Sequence, residues 1–208
     1  AMNNVYVTGA SEQQGKGYDY VTIKYSTTGS QQWAARYDGP AYLNDIANEL
    51  KVDGMGNVYV TGSSHGGTTK LDYTTIKYNT TGQQQWLTRY TNSPVNDTDA
   101  ATGIDIDVYG NVYVTGYSKA SGTASYDYAT IKYKGADGSQ MWLKREDGGL
   151  SDKAWDIKVI YKTCASGNGS YGGGNDVPCW DVFVYVSGES KLGSGNDFLT
   201  YGYGEGGN

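Results

Sequence analysis

The stretch Asn57-Val58-Tyr59-Val60-Thr61-Gly62 decides the fold, because the chain repeats it. The same six residues stand at 4–9 and at 111–116, and a degenerate copy follows at 184–188. The three full copies lie 53 and 54 residues apart. Three or more copies at a fixed period predict a repeat architecture, in which each unit buries its apolar surface against its neighbours.

Three further elements recur in register with this stretch. A segment of the form DYxTIKY stands at 19–25, 72–78 and 127–133, and a divergent copy at 197–203 has lost the lysine. A tryptophan and an arginine three residues apart follow in each of the first three units, at 33 and 36, 86 and 89, and 142 and 145. An alternating apolar segment then leads into the next unit, most clearly at Ile104-Asp105-Ile106. Each element has the alternation and the flanking Gly, Asn or Asp of a short β-strand.

Four strands in about 50 residues are typical of a propeller blade. We therefore predict one all-β domain over residues 1–208, a β-propeller or propeller fragment of four-stranded antiparallel blades, with incomplete first and last blades. The repeats are placed at about 4–56, 57–110, 111–181 and, in part, 182–208, with an insert at 161–181. A β-solenoid is the alternative, although its repeats are usually shorter.

The succession NVYVTG, DYxTIKY, GxxxWxxRY and an apolar strand ending in DxxGN resembles the bacterial SBBP β-propeller repeat. The resemblance covers most of the chain, and three units match closely. It implies a propeller on an exported or cell-surface bacterial protein, and it brings no catalytic signature. The divergent fourth unit and the insert depart from the pattern.

The order of the elements also predicts where the blades begin and end. If the apolar strand ending at Asp53 is the innermost of its blade, the chain starts at a second strand and ends after a third, which gives fourteen strands. Open sheet edges favour pairing with another chain. We therefore expect either a piece of a longer propeller or a protomer completed by copies of itself or by other proteins.

Bulk composition restricts the function and the location. The net charge is −6 and the pI about 4.7, which argues against nucleic-acid binding. No apolar run approaches the ~20 residues of a membrane span, so no membrane insertion is expected. Cys164 and Cys179 are predicted to form a disulfide, which suits a secreted or cell-surface protein; two unpaired thiols are the alternative.

Residues repeated in every unit are assigned structural roles, since each blade needs them. These are Asp19, Asp72, Asp127 and Asp197, the lysines of the DYxTIKY segments, and the Trp–Arg pairs. The only histidine, His65, is expected to be solvated. No catalytic residue, no metal site and no cofactor is assigned, although clustered loop aspartates could hold calcium through oxygen ligands.

Loops that join second to third strands, and outer strands to the next blade, should share one face, and variable loops on a rigid scaffold often bind ligands. Aromatic rings beside carboxylates suit sugar recognition, while solvated loop groups are the plain alternative. The candidate ligand-binding residues are Tyr18, Tyr42, Tyr126, Asp38, Asp97, Asp99 and Asp152, with Asp45 nearby.

Three functions remain open from the sequence. The leading expectation is a non-enzymatic binding or assembly module of a secreted or cell-surface bacterial protein. A carbohydrate-binding protein or carbohydrate-active enzyme, with glycans bound by the loop carboxylates and tyrosines, is the second. A structural subunit of a surface filament is the third.

Overall fold

The computed structural model describes residues 4–15, 17–92, 97–119, 125–147, 150–163, 180–192 and 195–205. Within these ranges the protein is all-β, with fourteen strands in four antiparallel sheets and no helix. No helix with the length and apolar character needed to cross a membrane occurs in them. Cys164 and Cys179 lie outside the described residues, and with them the predicted disulfide.

Each sheet is a meander in which consecutive strands pair with each other. Sheet 1 holds β1 (Val5–Gln13), β2 (Gly17–Tyr25) and β3 (Gln31–Tyr37), and sheet 2 holds β4 (Asp45–Val52), β5 (Val58–His65), β6 (Leu71–Tyr78) and β7 (Gln84–Tyr90). Sheet 3 holds β8 (Asp99–Ile106), β9 (Val112–Lys119), β10 (Tyr126–Tyr133) and β11 (Gln140–Glu146), and sheet 4 holds β12 (Asp152–Thr163), β13 (Trp180–Leu192) and β14 (Gly195–Glu205). The predicted count of three, four, four and three strands is confirmed.

The DxxGN segments form the tight turns between first and second strands. Asp53 Oδ1 accepts the backbone N–H groups of Met55 and Asn57, both at 2.9 Å, and Asp53 Oδ2 accepts the side-chain amide of Asn57 at 2.7 Å. Gly56 takes a φ of +86°, which glycine adopts without strain. Asp107 and Asn111 repeat the same hydrogen bonds.

The hydrophobic core lies between successive sheets. Sheets 2, 3 and 4 turn the valines of the repeated strand, with the last tyrosine of the DYxTIKY segment, toward the preceding sheet, and sheets 1, 2 and 3 turn their other core tyrosines and their tryptophan toward the following one. Val58 and Val60 of sheet 2 thus pack with Tyr20 of sheet 1, and Val112 and Val114 of sheet 3 pack with aromatic residues of sheet 2. The aromatic members of that second core are Tyr59, Tyr73, Trp86 and Tyr90.

The first strands β4, β8 and β12 contact one another in succession. Each carries a bulge, and the bulge residue of one strand bonds the next. Asn48 Nδ2 donates to Ala101 O at 2.6 Å, and Thr102 Oγ1 donates to Ala154 O at 2.8 Å. These bonds link the sheets along the row of first strands.

Sheet 4 departs from the repeat at the predicted insert. β12 continues through Tyr161, which pairs with Val182, to Thr163, which pairs with Trp180. Residues 161–163 and 180–181 are therefore strand rather than part of an inserted loop. The tight turn of the other units is replaced by a longer hairpin whose remaining residues, 164–179, lie outside the described ranges.

Candidate functional site

The repeated aspartate and arginine form an ion pair inside each of the first three sheets. Arg89 Nη2 lies 2.7 Å from Asp72, Arg145 Nη2 lies 2.6 Å from Asp127, and Arg36 pairs with Asp19. Arg89 also donates to the Ser64 hydroxyl at 2.7 Å and to the Tyr37 hydroxyl of the preceding sheet at 3.0 Å. The pair thus fastens strands and sheets together, as the sequence predicts.

The repeated lysine and tryptophan converge on one backbone carbonyl of the next sheet. Lys77 Nζ and Trp86 Nε1 donate to Gly135 O at 2.7 and 3.1 Å. Lys24 Nζ and Trp33 Nε1 donate to Thr80 O at 3.2 and 3.1 Å. Both pairs hold a turn of the following sheet, so these residues are structural.

Asp99 and Asp45 hold the loops that connect one sheet to the next. Asp99 accepts the N–H of Asn92 at 3.0 Å and of Lys119 at 3.2 Å, and its burial raises the pKa of this carboxyl. Asp45 accepts the N–H of Gly39 at 2.6 Å and of His65 at 3.1 Å. Asp152 occupies the equivalent place in sheet 4 and is buried. Because Asp99 and Asp45 are engaged by backbone amides, they shape the loops.

Two of the predicted loop aspartates come together with Asp19, which the sequence assigned a structural role, as a carboxylate cluster. Oxygen atoms of Asp19, Asp38 and Asp45 all lie within 4.8 Å of one another. Asp19 and Asp45 are 0 % and 1 % exposed, and Asp38 is half-buried. Asp19 stands on β2, Asp38 directly follows β3, and Asp45 begins β4, so the cluster lies where sheet 1 meets sheet 2.

Of the remaining loop candidates, Tyr18 and Tyr42 stand on segments that contact each other at Asn44. Tyr42 is exposed and takes a φ of 51°, unusual for a tyrosine, and Tyr18 is exposed with its N–H bonded to Asn44 Oδ1 at 3.2 Å. Asp97 is buried near the start of β8.

Tyr126 belongs to an aromatic group at the edge of sheets 3 and 4. Its ring centroid lies 5.2 Å from that of Tyr117, which in turn lies 6.2 Å from that of Trp155. Lys153 Nζ sits over both tyrosine rings, at 4.8 and 5.1 Å. Trp155 is 49 % exposed, so the group includes a partly exposed indole ring. Trp155 stands at the bulge of β12, where sheets 2 and 3 have the polar residues Asn48 and Thr102. This change within the repeat is the signal by which the sequence could have indicated the aromatic group.

A pocket of about 630 Å³ opens on the opposite face, between the tight turns of sheets 2 and 3. Its walls are residues 51–55 and 105–110 with Tyr161 of the long hairpin. Asp105 in the wall already accepts the N–H of Val159 at 2.8 Å and pairs with Lys158 at 3.1 Å. The sequence does not reveal this pocket, because it is formed by turns that are far apart in the chain.

Sheets 1 and 4 each leave one apolar face uncovered by the described residues. Val5 and Val7 of sheet 1 are 54 % and 50 % exposed, while the equivalent valines of sheets 2 and 3 are 0 % exposed. On sheet 4, Tyr185 is 43 % exposed, while the equivalent Tyr59 and Tyr113 are buried. One terminal sheet thus shows a valine face and the other an aromatic face.

No protein-family model and no curated protein matches the chain. Among solved structures, a protein of unknown function from Bacteroides caccae is similar at 12 % identity and a TM-score of 0.43, over 96 % of this chain and 73 % of that one. The tail fiber of Staphylococcus aureus phage P68 is similar at 12 % identity and a TM-score of 0.30, over 97 % of this chain and 47 % of that one. The chain thus spans less than half of the tail-fiber protein.

Proposed function

We propose that this chain is a non-enzymatic assembly module, a β-propeller of the SBBP type on a secreted or cell-surface bacterial protein. Four meander sheets that stack in chain order, with their first strands in mutual contact, support the propeller arrangement. The repeated Asp, Arg, Lys and Trp side chains bond neighbouring strands and sheets, which supports a role in building the fold rather than in catalysis.

The exposed valine face of sheet 1 is the observation that carries the assembly proposal. Val58 and Val60 of sheet 2, like Val112 and Val114 of sheet 3, are covered completely by the aromatic face of the preceding sheet. Val5 and Val7 carry the same pattern but remain half exposed. Burial of such apolar surface is worth about 25 cal/mol per Å², so a matching sheet would dock favourably.

The partner that fits is a second copy of the chain, docked head to tail. Its sheet 4 offers an aromatic face with Phe183 and the exposed Tyr185, and inside the chain aromatic faces already pack on valine faces. On sheet 4, Gly202 stands where the DYxTIKY segments of the other sheets have a lysine, so the proposed contact rests on apolar packing. A head-to-tail contact closes into a ring or continues as a filament, which links this proposal to a filament subunit.

The first prediction is that the double variant Val5→Lys, Val7→Lys abolishes self-association. Lysines at these positions would place two ammonium groups in the apolar contact, where an unpaired charge is costly. Analytical ultracentrifugation from about 5 to 200 µM protein should show the wild type growing in mass with concentration, as expected for modest interfaces. The double variant should remain monomeric over the same range.

Val108→Lys is the matched control, because Val108 is also an exposed valine but lies in the turn between β8 and β9, away from the valine face. It should associate like the wild type. A wild type that stays monomeric throughout, or three proteins that associate equally, would contradict assembly through this face.

Carbohydrate binding is a second candidate function, supported by the exposed ring of Trp155 beside Tyr117 and Tyr126. Flat aromatic rings with a free face suit the apolar faces of sugar rings. The second prediction is that oligosaccharides found on a glycan array quench tryptophan fluorescence in the wild type and do so at least tenfold more weakly in Trp155→Ala. Tyr109→Ala, at an exposed tyrosine in the tight turn between β8 and β9 on the opposite face, is the control, and equal binding by all three proteins would argue against this site.

A further inference from the structure

We propose that Asp19, Asp38 and Asp45 form a binding site for one calcium ion that ties sheet 1 to sheet 2. Their oxygen atoms lie within 4.8 Å of one another. Calcium takes oxygen ligands at 2.3–2.6 Å, so ligand atoms on opposite sides of the ion stand up to about 5 Å apart. Among the described residues, no other three such side chains meet within this distance.

The cluster concentrates negative charge in a largely buried place. Arg36 pairs with Asp19, and the backbone N–H groups of Gly39 and His65 donate to Asp45. Three carboxylates thus converge at a place where Asp19 and Asp45 have almost no contact with solvent. Buried charges are normally paired or bound to a metal ion, and a divalent cation would add positive charge among the three carboxylates.

A second, independent feature is the unused oxygen of Asp19. Arg36 occupies Oδ2, while Oδ1 has no hydrogen-bond partner among the described residues although Asp19 is completely buried. Buried carboxylate oxygens are nearly always satisfied, so an acceptor left without a donor inside a carboxylate cluster fits a cation ligand.

Sheet 2 offers a natural comparison, because it has threonine where sheet 1 has Asp38. At the equivalent place the Thr91 hydroxyl donates a hydrogen bond to the Asp99 carboxylate. Asp99 thus faces a donor where Asp45 faces the carboxylate of Asp38. Asp72, the counterpart of Asp19, also has an unused Oδ1, but its Oδ2 accepts both Thr69 and Arg89. The third carboxylate therefore distinguishes the site of sheet 1.

The ligand set selects the ion. It contains carboxylates only, with neither the histidine nor the cysteine that zinc prefers. Three carboxylates supply three to six oxygens, and the half-buried side of Asp38 leaves room for water to complete the six to eight that calcium takes. Magnesium demands stricter octahedral geometry and should bind more weakly.

The third prediction is tested by thermal unfolding of protein first treated with EDTA. We expect a dissociation constant of about 0.1–1 mM, in the range of extracellular calcium modules. Addition of 10 mM CaCl₂ should then raise the Tm of the wild type by about 5 °C, and MgCl₂ by less. Isothermal titration calorimetry should give one calcium ion per chain.

Asp38→Thr is the decisive variant, because it converts the site into the arrangement of sheet 2, where a threonine hydroxyl bonds the carboxylate. In EDTA it should be at least as stable as the wild type, since a repulsive charge is removed, and it should lose the calcium shift. Glu12→Gln removes an exposed charge near the same loops and should keep the full shift. No calcium-dependent shift in the wild type, or an equal shift in Asp38→Thr, would overturn the proposal. If Asp38→Thr fails to fold, Asp38→Asn decides by the same criterion.

Discussion

Whether glycine is required at the end of an NVYVTG stretch depends on the atoms that pack around it. A Cβ on Gly116 would stand 2.1 Å from Ala100 O and 2.8 Å from the Tyr73 hydroxyl, and Gly62 has the same close approaches to Ile46 O and the Tyr20 hydroxyl. Around Gly9 no atom comes within 4 Å of such a Cβ. Glycine is therefore required where the first strand of the same sheet and a tyrosine of the preceding sheet pack against this position. The described part of sheet 1 has neither a first strand nor such a tyrosine beside it.

The fourth prediction follows from this difference. Gly116→Ala should lower the free energy of unfolding by about 3 kcal/mol, because a methyl group would collide with a backbone carbonyl that cannot move without breaking the bulge. Gly9→Ala should change it by less than about 0.5 kcal/mol, as is usual at surface sites. Urea unfolding followed by circular dichroism measures both. Equal losses in the two variants would show that the cost lies in the strand backbone and not in the packing of the neighbouring sheet.

Arginine shows the same dependence on position. Arg89 and Arg145 reach the tyrosine hydroxyl of the preceding sheet, Tyr37 or Tyr90, at 3.0 Å. Arg36 pairs with Asp19 and bonds Ser11, and its side chain is more exposed than those of the other two. Identical sequence motifs thus make different contacts in the terminal sheet.

At the scale of strands and sheets, most of the fold could be predicted from the sequence. Alternation, recurrent glycines and the four elements per unit gave the strand count and the meander order, because these depend on local turn chemistry and on period. The roles of the Asp–Arg and Lys–Trp residues followed from their recurrence in the first three units.

The candidate sites were less predictable, because they depend on contacts between segments. The loops carrying Asp38 and Asp45 were identified, but their approach to Asp19 arises only when sheet 1 packs on sheet 2. The pocket between the tight turns and the exposed Trp155 also arise from sheet packing. The insert of sheet 4 was predicted, but its bounds were too wide, since residues 161–163 and 180–181 extend the strands on either side.

At the scale of the whole molecule, tyrosine is the main core residue, since 21 of the 208 residues are tyrosine and several are completely buried. Burial raises the pKa of Tyr78 to about 12 and, with neighbouring tyrosines and aspartates contributing, raises the pKa values of Tyr20 and Tyr73 well above the ordinary value of 10.0. These hydroxyls lie in the cores that join successive sheets, and Tyr20 and Tyr73 donate to backbone carbonyls of the next sheet.

The fifth prediction is that the protein unfolds cooperatively in alkali. Below pH 10 the buried tyrosines are neutral in both the folded and the unfolded chain, so their full contribution to stability is present. Between pH 10 and about 12 they ionise only in the unfolded chain, and each one then lowers the free energy of unfolding by about 1.4 kcal/mol per pH unit. Absorbance at 295 nm should therefore rise in two stages, with exposed tyrosines titrating near pH 10 and buried ones at higher pH, together with the loss of β-sheet circular dichroism.

Replacement of buried Tyr73 by Phe should raise the pH of unfolding relative to a Tyr109→Phe control, whose ring is exposed. A single titration of all tyrosines near pH 10 with the circular dichroism unchanged would mean that the sheets separate freely enough to admit water, and it would contradict the packed cores on which the assembly proposal rests.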